Sequence, residues 1–507
     1  MLLQQYLLDS AERFPDSTVV LHRDRRVTYG RLATASMSIA GLLMDRYQEP
    51  GFRAAILTDD PFEYVSCYFG ILLAGGIVVG LNTQTSVRAL IHGLSDCSAS
   101  VLLGSGRFLK LLTQVVPLVT SLEFLVLKGK DLPERLGNVS VEDLDHFLSQ
   151  EVTDSLAIPW RSPCDIAQLI YTSGTTGPPK GVMLTHNALC ANTSSILEYL
   201  QLTPADRCMV VLPFFYSYGN SIMLTHVAAG ASLSVNQNFL YPNVILDQMR
   251  EHEVTGLSGV PSTFAILLHR SAIEKYTFPS LRYITQAGAA MSPATAMKLK
   301  KVFPGVEIYI MYGQTEASAR LSYLPPKDLD CKPDSVGIPI PGVELLLLDE
   351  EGRAVERGKI GEIVARGENI MSGYWNLPQE TSKVLRKEGL WTGDLAYQDK
   401  DGYFYIVSRK SDIIKSGSHR IGPKEIEDVI MEHHAVQEVA VVGVPDALLD
   451  EKIKACVVLK PNVICSEREI KKHCKAILPA YKVPHVISFL SELPKTATGK
   501  IKRSELR

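Results

Sequence analysis

The sequence predicts an α/β fold: a large N-terminal domain of layered α/β sheets with a small β-rich subdomain, then a small α+β C-terminal domain. Short apolar runs at 53–57, 100–103 and 123–127 alternate with amphipathic stretches, the pattern of layered, largely parallel sheets. From about Gly337 the runs draw together, at 344–348, 361–366 and 402–407, with Gly-rich turns between them; this predicts closely paired strands. After Ser408 a charged and polar segment, Arg409-Lys410-Ser411-Asp412, precedes about 95 residues with a pattern of their own. The expected division is therefore 1–408, with the β-rich subdomain at about 337–408, a break at 409–412, and 413–507.

Individual elements follow in chain order. Residues 1–14 carry no basic leader and mix apolar with polar side chains at helical spacing, which predicts an amphipathic surface helix and not a signal peptide. The most apolar stretch, 68–81, is interrupted by glycines and is too short to span a bilayer, so it reads as a buried helix–strand junction. Beyond the break, 423–433 has proline at its start and acids in its first turn, as helix N-termini do. Strands are expected at 439–444 and 455–459, a helix at 467–478, and an exposed loop over the Gly, Thr and Lys-rich end.

A chain of 507 residues is too long for one ordinary core. With 52 basic and 55 acidic side chains it offers no electrostatic reason to bind nucleic acid or an anionic membrane, and no membrane span is expected. Its nine cysteines form no C-x-x-C pair and no cluster at metal spacing, which fits reduced thiols and a cytoplasmic location.

The most informative segment is 171–186, YTSGTTGPPKGVMLTH. An apolar strand runs into hydroxyl residues, glycines and Lys180. Small residues let backbone N–H groups face an anion, hydroxyls add donors and the lysine adds charge, as a polyphosphate cradle requires. The spacing is not that of a Walker A loop, and composition alone fits a solvated Gly/Thr turn equally well.

Four further stretches follow in order: MYGQTEA at 311–317 preceded by QAGAAMS, GYWNLPQET at 373–381, WTGDLAYQDKDGYFYIVSRKSDIIKSG at 391–417, and PKTATGKIKR at 494–503. Together with 171–186 they resemble the ordered motifs of the adenylate-forming superfamily of acyl-CoA synthetases, luciferases and peptide-synthetase adenylation domains, in pattern nearest an acyl- or aryl-CoA ligase. That resemblance implies ATP, Mg²⁺ and coenzyme A, or a carrier-protein phosphopantetheine, as cofactors. It implies that Thr172, Ser173, Gly174, Thr175, Thr176, Gly177 and Lys180 cradle the β- and γ-phosphates. Thr315 would meet the α-phosphate and Glu316 would hold Mg²⁺, a hard cation suited to oxygen ligands. Asp394 would accept both ribose hydroxyls, with Arg409 beside it. Gly288, Ala289 and Gly313 would line the slot, and Tyr312 would stack on adenine. A lysine near a chain end is ordinarily a solvated charge, but Lys500 matches the adenylation lysine, where an ammonium stabilises charge developing on the α-phosphate.

The segment 211–223, VLPFFYSYGNSIM, resembles the substrate-side motif, with Tyr216 where relatives carry histidine or another aromatic. No acidic residue occurs between Asp206 and Asp247. A buried α-ammonium would lack a counter-charge, so amino acids are disfavoured, and Tyr216, Tyr218 and Ile222 suggest an aromatic or short- to medium-chain carboxylic acid. Ser416, Gly417 and Arg420 fall on the expected thiol side; Arg420 matches a position that contacts coenzyme A, while a separate acyl carrier protein is the alternative acceptor. The resemblance also makes the C-terminal domain mobile. Lys500 and the incoming thiol need the same space in successive steps, so 409–412 is the expected hinge, with the pivot at Ser411 or Lys410.

Overall fold

The computed structural model describes residues 1–150, 157–172, 179–416, 419–446, 448–495 and 501–507. Two nine-stranded sheets dominate the first 340 residues. In one, the strands Glu307–Tyr312, Tyr283–Gln286, Gly256–Gly259, Arg207–Val210, Ser232–Val235 and Thr18–His22 lie side by side and parallel. In the other, Ile166–Thr172, Ile77–Gly80, Arg53–Leu57, Val101–Ser105, Phe124–Lys128 and Val139–Asp143 are parallel, with antiparallel strands at both edges. Helices cover the faces because strands of this kind are apolar on both sides.

One large apolar core joins the two sheets. At its centre lies the helix Pro61–Leu73, buried along its whole length. Its start is set locally: proline occupies the first turn, and the Asp60 carboxylate accepts from the N–H groups of Phe62 and Glu63, satisfying donors that the helix cannot. The following strand, Ile77–Gly80, is wholly buried. The stretch expected as a buried helix–strand junction is one. The N-terminal helix, Gln4–Arg13, buries Tyr6, Leu7 and Ser10 and presents its other face to solvent.

A third sheet, fully antiparallel, is built from Val343–Leu348, Gly361–Gly367, Gly389–Gln398, Leu385–Arg386 and Phe404–Arg409. A fourth carries the strands Ile414–Ser416, His419–Ile421, Val436–Asp446, Asp450–Leu459 and Val486–Leu490, covered by the helices Pro423–Met431 and Glu467–Ile477. The α/β class read from the sequence is the architecture observed. One local expectation fails: the described part of the C-terminal stretch is not an exposed loop. Leu493 and Leu506 pack on Ala440 and Val458, and Arg503 pairs with Glu427 at 2.5 Å and Asp412 at 3.5 Å. Two apolar side chains and a half-buried arginine are enough to fix a segment whose composition reads as loop. Among the described residues no helix is long and apolar enough to cross a membrane.

Gly337 is the tightest joint between the first and third sheets. Its φ is +84°, a Cβ there would stand 1.8 Å from the Tyr323 carbonyl oxygen, and its own carbonyl accepts from the Phe404 N–H at 2.9 Å. Gly337→Ala is expected to cost at least about 2 kcal/mol through the strained φ and the backbone clash. It should lower the apparent thermal midpoint by several degrees; an unchanged midpoint would show that the joint yields without cost.

Candidate active site

The parallel strands of the first sheet end together, and the turns that leave these ends occupy the usual ligand position in open α/β sheets. After Tyr283–Gln286 comes Ala287-Gly288-Ala289. Gly288 has φ +94°, and a Cβ would meet Val260 at 3.1 Å, so the left-handed backbone and the close wall both select glycine. Gly288 and Ala289 are exposed; the Ala289 carbonyl is held by the Gln286 side chain at 2.7 Å. After Glu307–Tyr312 comes Gly313, where a Cβ would stand 2.1 Å from the Ala319 carbonyl oxygen. Close backbone packing of the 313–319 turn therefore fixes this glycine, whatever else the turn contacts. That turn presents Thr315 and Glu316, and Thr315 donates to the Ser217 hydroxyl at 3.2 Å, at the start of the helix Ser217–Ala229.

The second sheet approaches from the side. Thr172 and Lys180 are register partners at the ends of two antiparallel strands, with 173–178 between them. Lys180 pairs with Glu380 at 2.7 Å and lies 4.9 Å from the centre of the Tyr374 ring. Its ammonium, helped by Lys383, holds the Glu380 carboxyl down at about 2. The Tyr374 hydroxyl donates to Glu316 at 2.8 Å, and the Met371 N–H donates to the Glu316 carbonyl at 2.9 Å. Burial pushes the Tyr374 hydroxyl above the usual phenol range, and the Glu316 carboxylate pushes it further. It therefore stays a donor.

The third sheet supplies Asp394 and Arg409, register partners on neighbouring strands. Asp394 is buried. One of its oxygens takes the Arg409 Nε–H at 3.0 Å and the other the Tyr312 hydroxyl at 2.7 Å. The carboxylate raises the Arg409 pKa, and burial followed by the same carboxylate raises that of Tyr312 well above 10. Each carboxylate oxygen keeps a second acceptor position, so Asp394 can still receive two hydroxyls. Tyr312, expected as an adenine platform, spends its hydroxyl on Asp394.

Sequence-predicted residues from three sheets thus meet around one turn: Lys180 and Thr172, Gly288 and Ala289, Gly313, Thr315 and Glu316, Asp394 and Arg409. Ser173, Gly174, Thr175, Thr176, Gly177, Gly417 and Lys500 lie outside the described residues. On the acyl side, Tyr216 precedes the helix Ser217–Ala229 and accepts from the Asn82 amide at 3.2 Å; burial raises its pKa to about 12. Tyr218 is buried with its hydroxyl on Thr285 at 2.9 Å, and Ile222 is buried one turn on. Ser416 is buried in the strand Ile414–Ser416, and Arg420 sits opposite Lys415 in the adjoining strand. Lys410 reaches Glu362 at 3.3 Å and Glu350 at 3.5 Å, and Ser411 donates to Asp412 at 3.3 Å. Sequence reasoning missed Tyr374, Glu380, Ser217 and Asn82. The first two stand inside GYWNLPQET, where an aromatic and an acid were visible but their partners were not.

Glu316 is a fitting Mg²⁺ ligand by this geometry. Tyr374 occupies one of its oxygens as a neutral donor, no described lysine or arginine pairs with it, and no cluster of three potential metal-binding side chains exists among the described residues. A single carboxylate completed by substrate phosphates is how Mg²⁺ is commonly held.

Comparison with known proteins is consistent along the chain. A family model described as AMP-binding enzyme matches residues 7–375, and one described as AMP-binding enzyme C-terminal domain matches 425–500. The long-chain-fatty-acid–CoA ligase of Bacillus subtilis (strain 168) is 34% identical over 529 residues, covering 99% of this chain and 94% of that protein. A crystal structure of the anthranilate CoA ligase AuaEII in complex with anthranoyl-AMP superposes with a TM-score of 0.92 at 31% identity, over 100% of this chain and 96% of that one. The o-succinylbenzoate CoA synthetase of Bacillus subtilis, in complex with its acyl-adenylate, gives 0.86 at 29% identity, over 99% and 97%.

The Asp394 cluster separates two losses. Tyr312→Phe removes one hydrogen bond to a charged acceptor and is expected to cost about 1–2 kcal/mol. Asp394→Ala strands a buried hydroxyl and leaves the half-exposed Arg409 without its counter-charge, for about 3 kcal/mol. Denaturant unfolding of the ligand-free variants measures both; equal losses would mean that the ion pair contributes nothing.

Proposed function

The chain belongs to the AMP-binding enzyme family and is an AMP-forming acid–thiol ligase, and we propose that its acid is aromatic or of short to medium length and bears no α-ammonium group. The meeting of Lys180, Glu316, Asp394 and Arg409 around the 313–316 turn supports the ligase reading most directly, and the lack of any acidic residue between Asp206 and Asp247, with Tyr216, Tyr218 and Ile222 on the acyl side, supports this class of acid. ATP and coenzyme A are the co-substrates and Mg²⁺ the metal. Nine cysteines, all without disulfide partners, support a cytoplasmic setting.

In the first half-reaction a carboxylate oxygen of the acid attacks the α-phosphorus. The bond to the β-phosphate oxygen breaks, and pyrophosphate leaves with its electron pair. Asp394 and Arg409 fix the ribose, and Gly288 and Ala289 admit the flat base and the acid. Thr172 with the 173–177 loop and Lys180 hold the β- and γ-phosphates; for this, Lys180 exchanges Glu380 for phosphate oxygens. Glu316 would hold Mg²⁺, which would supply charge to offset that on the phosphate oxygens. Lys500 stabilises charge on the α-phosphate. In the second half-reaction the coenzyme A thiolate attacks the acyl carbonyl and AMP leaves. Rotation about 409–412, with the C-terminal domain at 413–507, would withdraw Lys500 and bring Ser416, Gly417 and Arg420 to the thiol path. An α-amino acid is disfavoured because no acidic residue lies between Asp206 and Asp247 to meet its ammonium.

Pyrophosphate release over a panel of aromatic, short-chain and medium-chain acids, with coenzyme A and holo-carrier proteins compared as acceptors, tests the reading. An α-amino acid as best substrate, or thioester formed only on a carrier, would overturn it. Glu316→Gln is expected to lower ATP–pyrophosphate exchange at least about tenfold at fixed Mg²⁺, since an amide is a poorer ligand for a hard dication; exchange within twofold of wild type would remove Glu316 from the metal. Lys500→Ala should fail in adenylation yet still convert supplied acyl-AMP and coenzyme A to thioester. Equal losses in both steps would defeat the two-orientation scheme.

A further inference from the structure

Lys180, the cation that meets the β- and γ-phosphates in this scheme, already carries an anion. The Glu380 carboxylate accepts from its Nζ at 2.7 Å, and each side chain is about a third exposed. The backbone that presents Glu380 is fixed. The next residue, Thr381, accepts from the Tyr374 N–H through its hydroxyl at 2.9 Å, and a Cβ at Gly373 would meet its methyl group at 2.8 Å. Tyr374 is the register partner of Val182, and the Trp375 N–H donates to the Gly181 carbonyl at 2.8 Å. The helix Pro378–Val384 is therefore tied to the strand Lys180–Thr185. The two backbones keep a fixed separation, so the ion pair opens only by side-chain rotation.

A second cation stands on the same helix. The other Glu380 oxygen pairs with Lys383, at the i, i+3 spacing at which helix side chains meet. Lys180 and then Lys383 hold the Glu380 carboxyl down at about 2, so it remains an anion. Turned away from Lys180, it still has Lys383 and is not left unpaired. Two states follow from this geometry. In one the Lys180 ammonium rests on Glu380. In the other Glu380 lies on Lys383 alone and Lys180 faces phosphate oxygens.

We propose that Glu380 is a resident competitor of phosphate for Lys180, a positioning residue that weakens ATP and pyrophosphate alike, and that Lys383 holds it aside while either is bound. The proposal rests on the ligase reading and deepens it. A ligand that requires the free form of Lys180 loses affinity in proportion to the fraction of molecules in which that form exists. ATP and pyrophosphate both bring phosphates to Lys180. AMP has no phosphate beyond the first and is spared. The weakening therefore falls on the product of the first half-reaction, which must leave, and not on the adenylate, which must stay for the second.

The test is equilibrium titration of the full chain with ATP, pyrophosphate and AMP at fixed Mg²⁺, without acid or coenzyme A. Glu380→Gln should bind ATP and pyrophosphate about three- to fivefold more tightly than wild type, the scale of one partly exposed ion pair, with AMP affinity unchanged. Glu380→Asp keeps the charge on a side chain one methylene too short for the contact, and should give most of the same gain. Lys383→Met should weaken ATP binding in the wild-type background and have no effect beside Glu380→Gln, the coupling expected of residues that act through one another. Unchanged AMP affinity also shows that each variant is folded. ATP binding no tighter in Glu380→Gln, or tighter in Glu380→Gln but not in Glu380→Asp, would overturn the proposal, as would an equal gain for AMP or an equal loss from Lys383→Met in both backgrounds. Failure of the wild type to bind any of the three ligands would instead overturn the ligase reading beneath it.

Discussion

The Asp394 carboxylate is the contact on which the arrangement of this crevice depends. It is buried, and its two oxygens reach different parts of the molecule: Tyr312 at the end of the first sheet, and Arg409 at the end of the third. A carboxylate taken out of water is stable only when donors replace the lost hydration, and here one donor comes from each side of the joint. Gly337 performs the same union through backbone, by close approach to Tyr323 and a hydrogen bond with Phe404. These two joints, with further links such as Lys332 to Asp399 and Tyr403 to Asp328, set the β-rich unit at a fixed distance from the 313–316 turn, so that residues about 80 apart in sequence share a site.

The second sheet is attached by another means. Tyr374, paired in the ladder with Val182, delivers its hydroxyl to Glu316 and its ring to Lys180. One side chain thus holds an anion from the first sheet and a cation from the second about a ring's breadth apart. Lys180 meanwhile rests on Glu380, so an anionic ligand at this point would have to displace that carboxylate.

Fold class was legible because it follows from local signals: the alternation of apolar runs with amphipathic stretches, and the tightening of strand spacing after Gly337. The motif residues Lys180, Glu316, Asp394 and Arg409 were legible by resemblance. Their partners were not, because one sequence carries no record of which side chains meet: Glu380 lies 200 positions from Lys180, and Asn82 lies 134 from Tyr216. Tyr218 illustrates a subtler limit. As a tyrosine in the substrate-side segment it reads as a pocket wall, yet its hydroxyl is committed to Thr285 and its face to Arg320. Arg320 itself looks like an ordinary surface charge in sequence, and only its burial sets it apart. The C-terminal stretch was misread for a related reason: composition reports flexibility, whereas two leucines and Arg503 report docking.

Arg409 ends its strand, and the very next residue, Lys410, opens the short turn that leads to the fourth sheet. The ion pair with Asp394 and the conformation of that turn therefore belong to one piece of backbone. Linkage makes such a junction reciprocal: if nucleotide at Asp394 biases the turn toward one geometry by some factor, holding the turn in that geometry tightens nucleotide binding by the same factor. Anything that grips the C-terminal segment from outside, such as an antibody, a crosslink or a neighbouring protein, would then tune nucleotide affinity from a distance without touching the crevice. The two equilibria are a single measurable quantity seen from two ends.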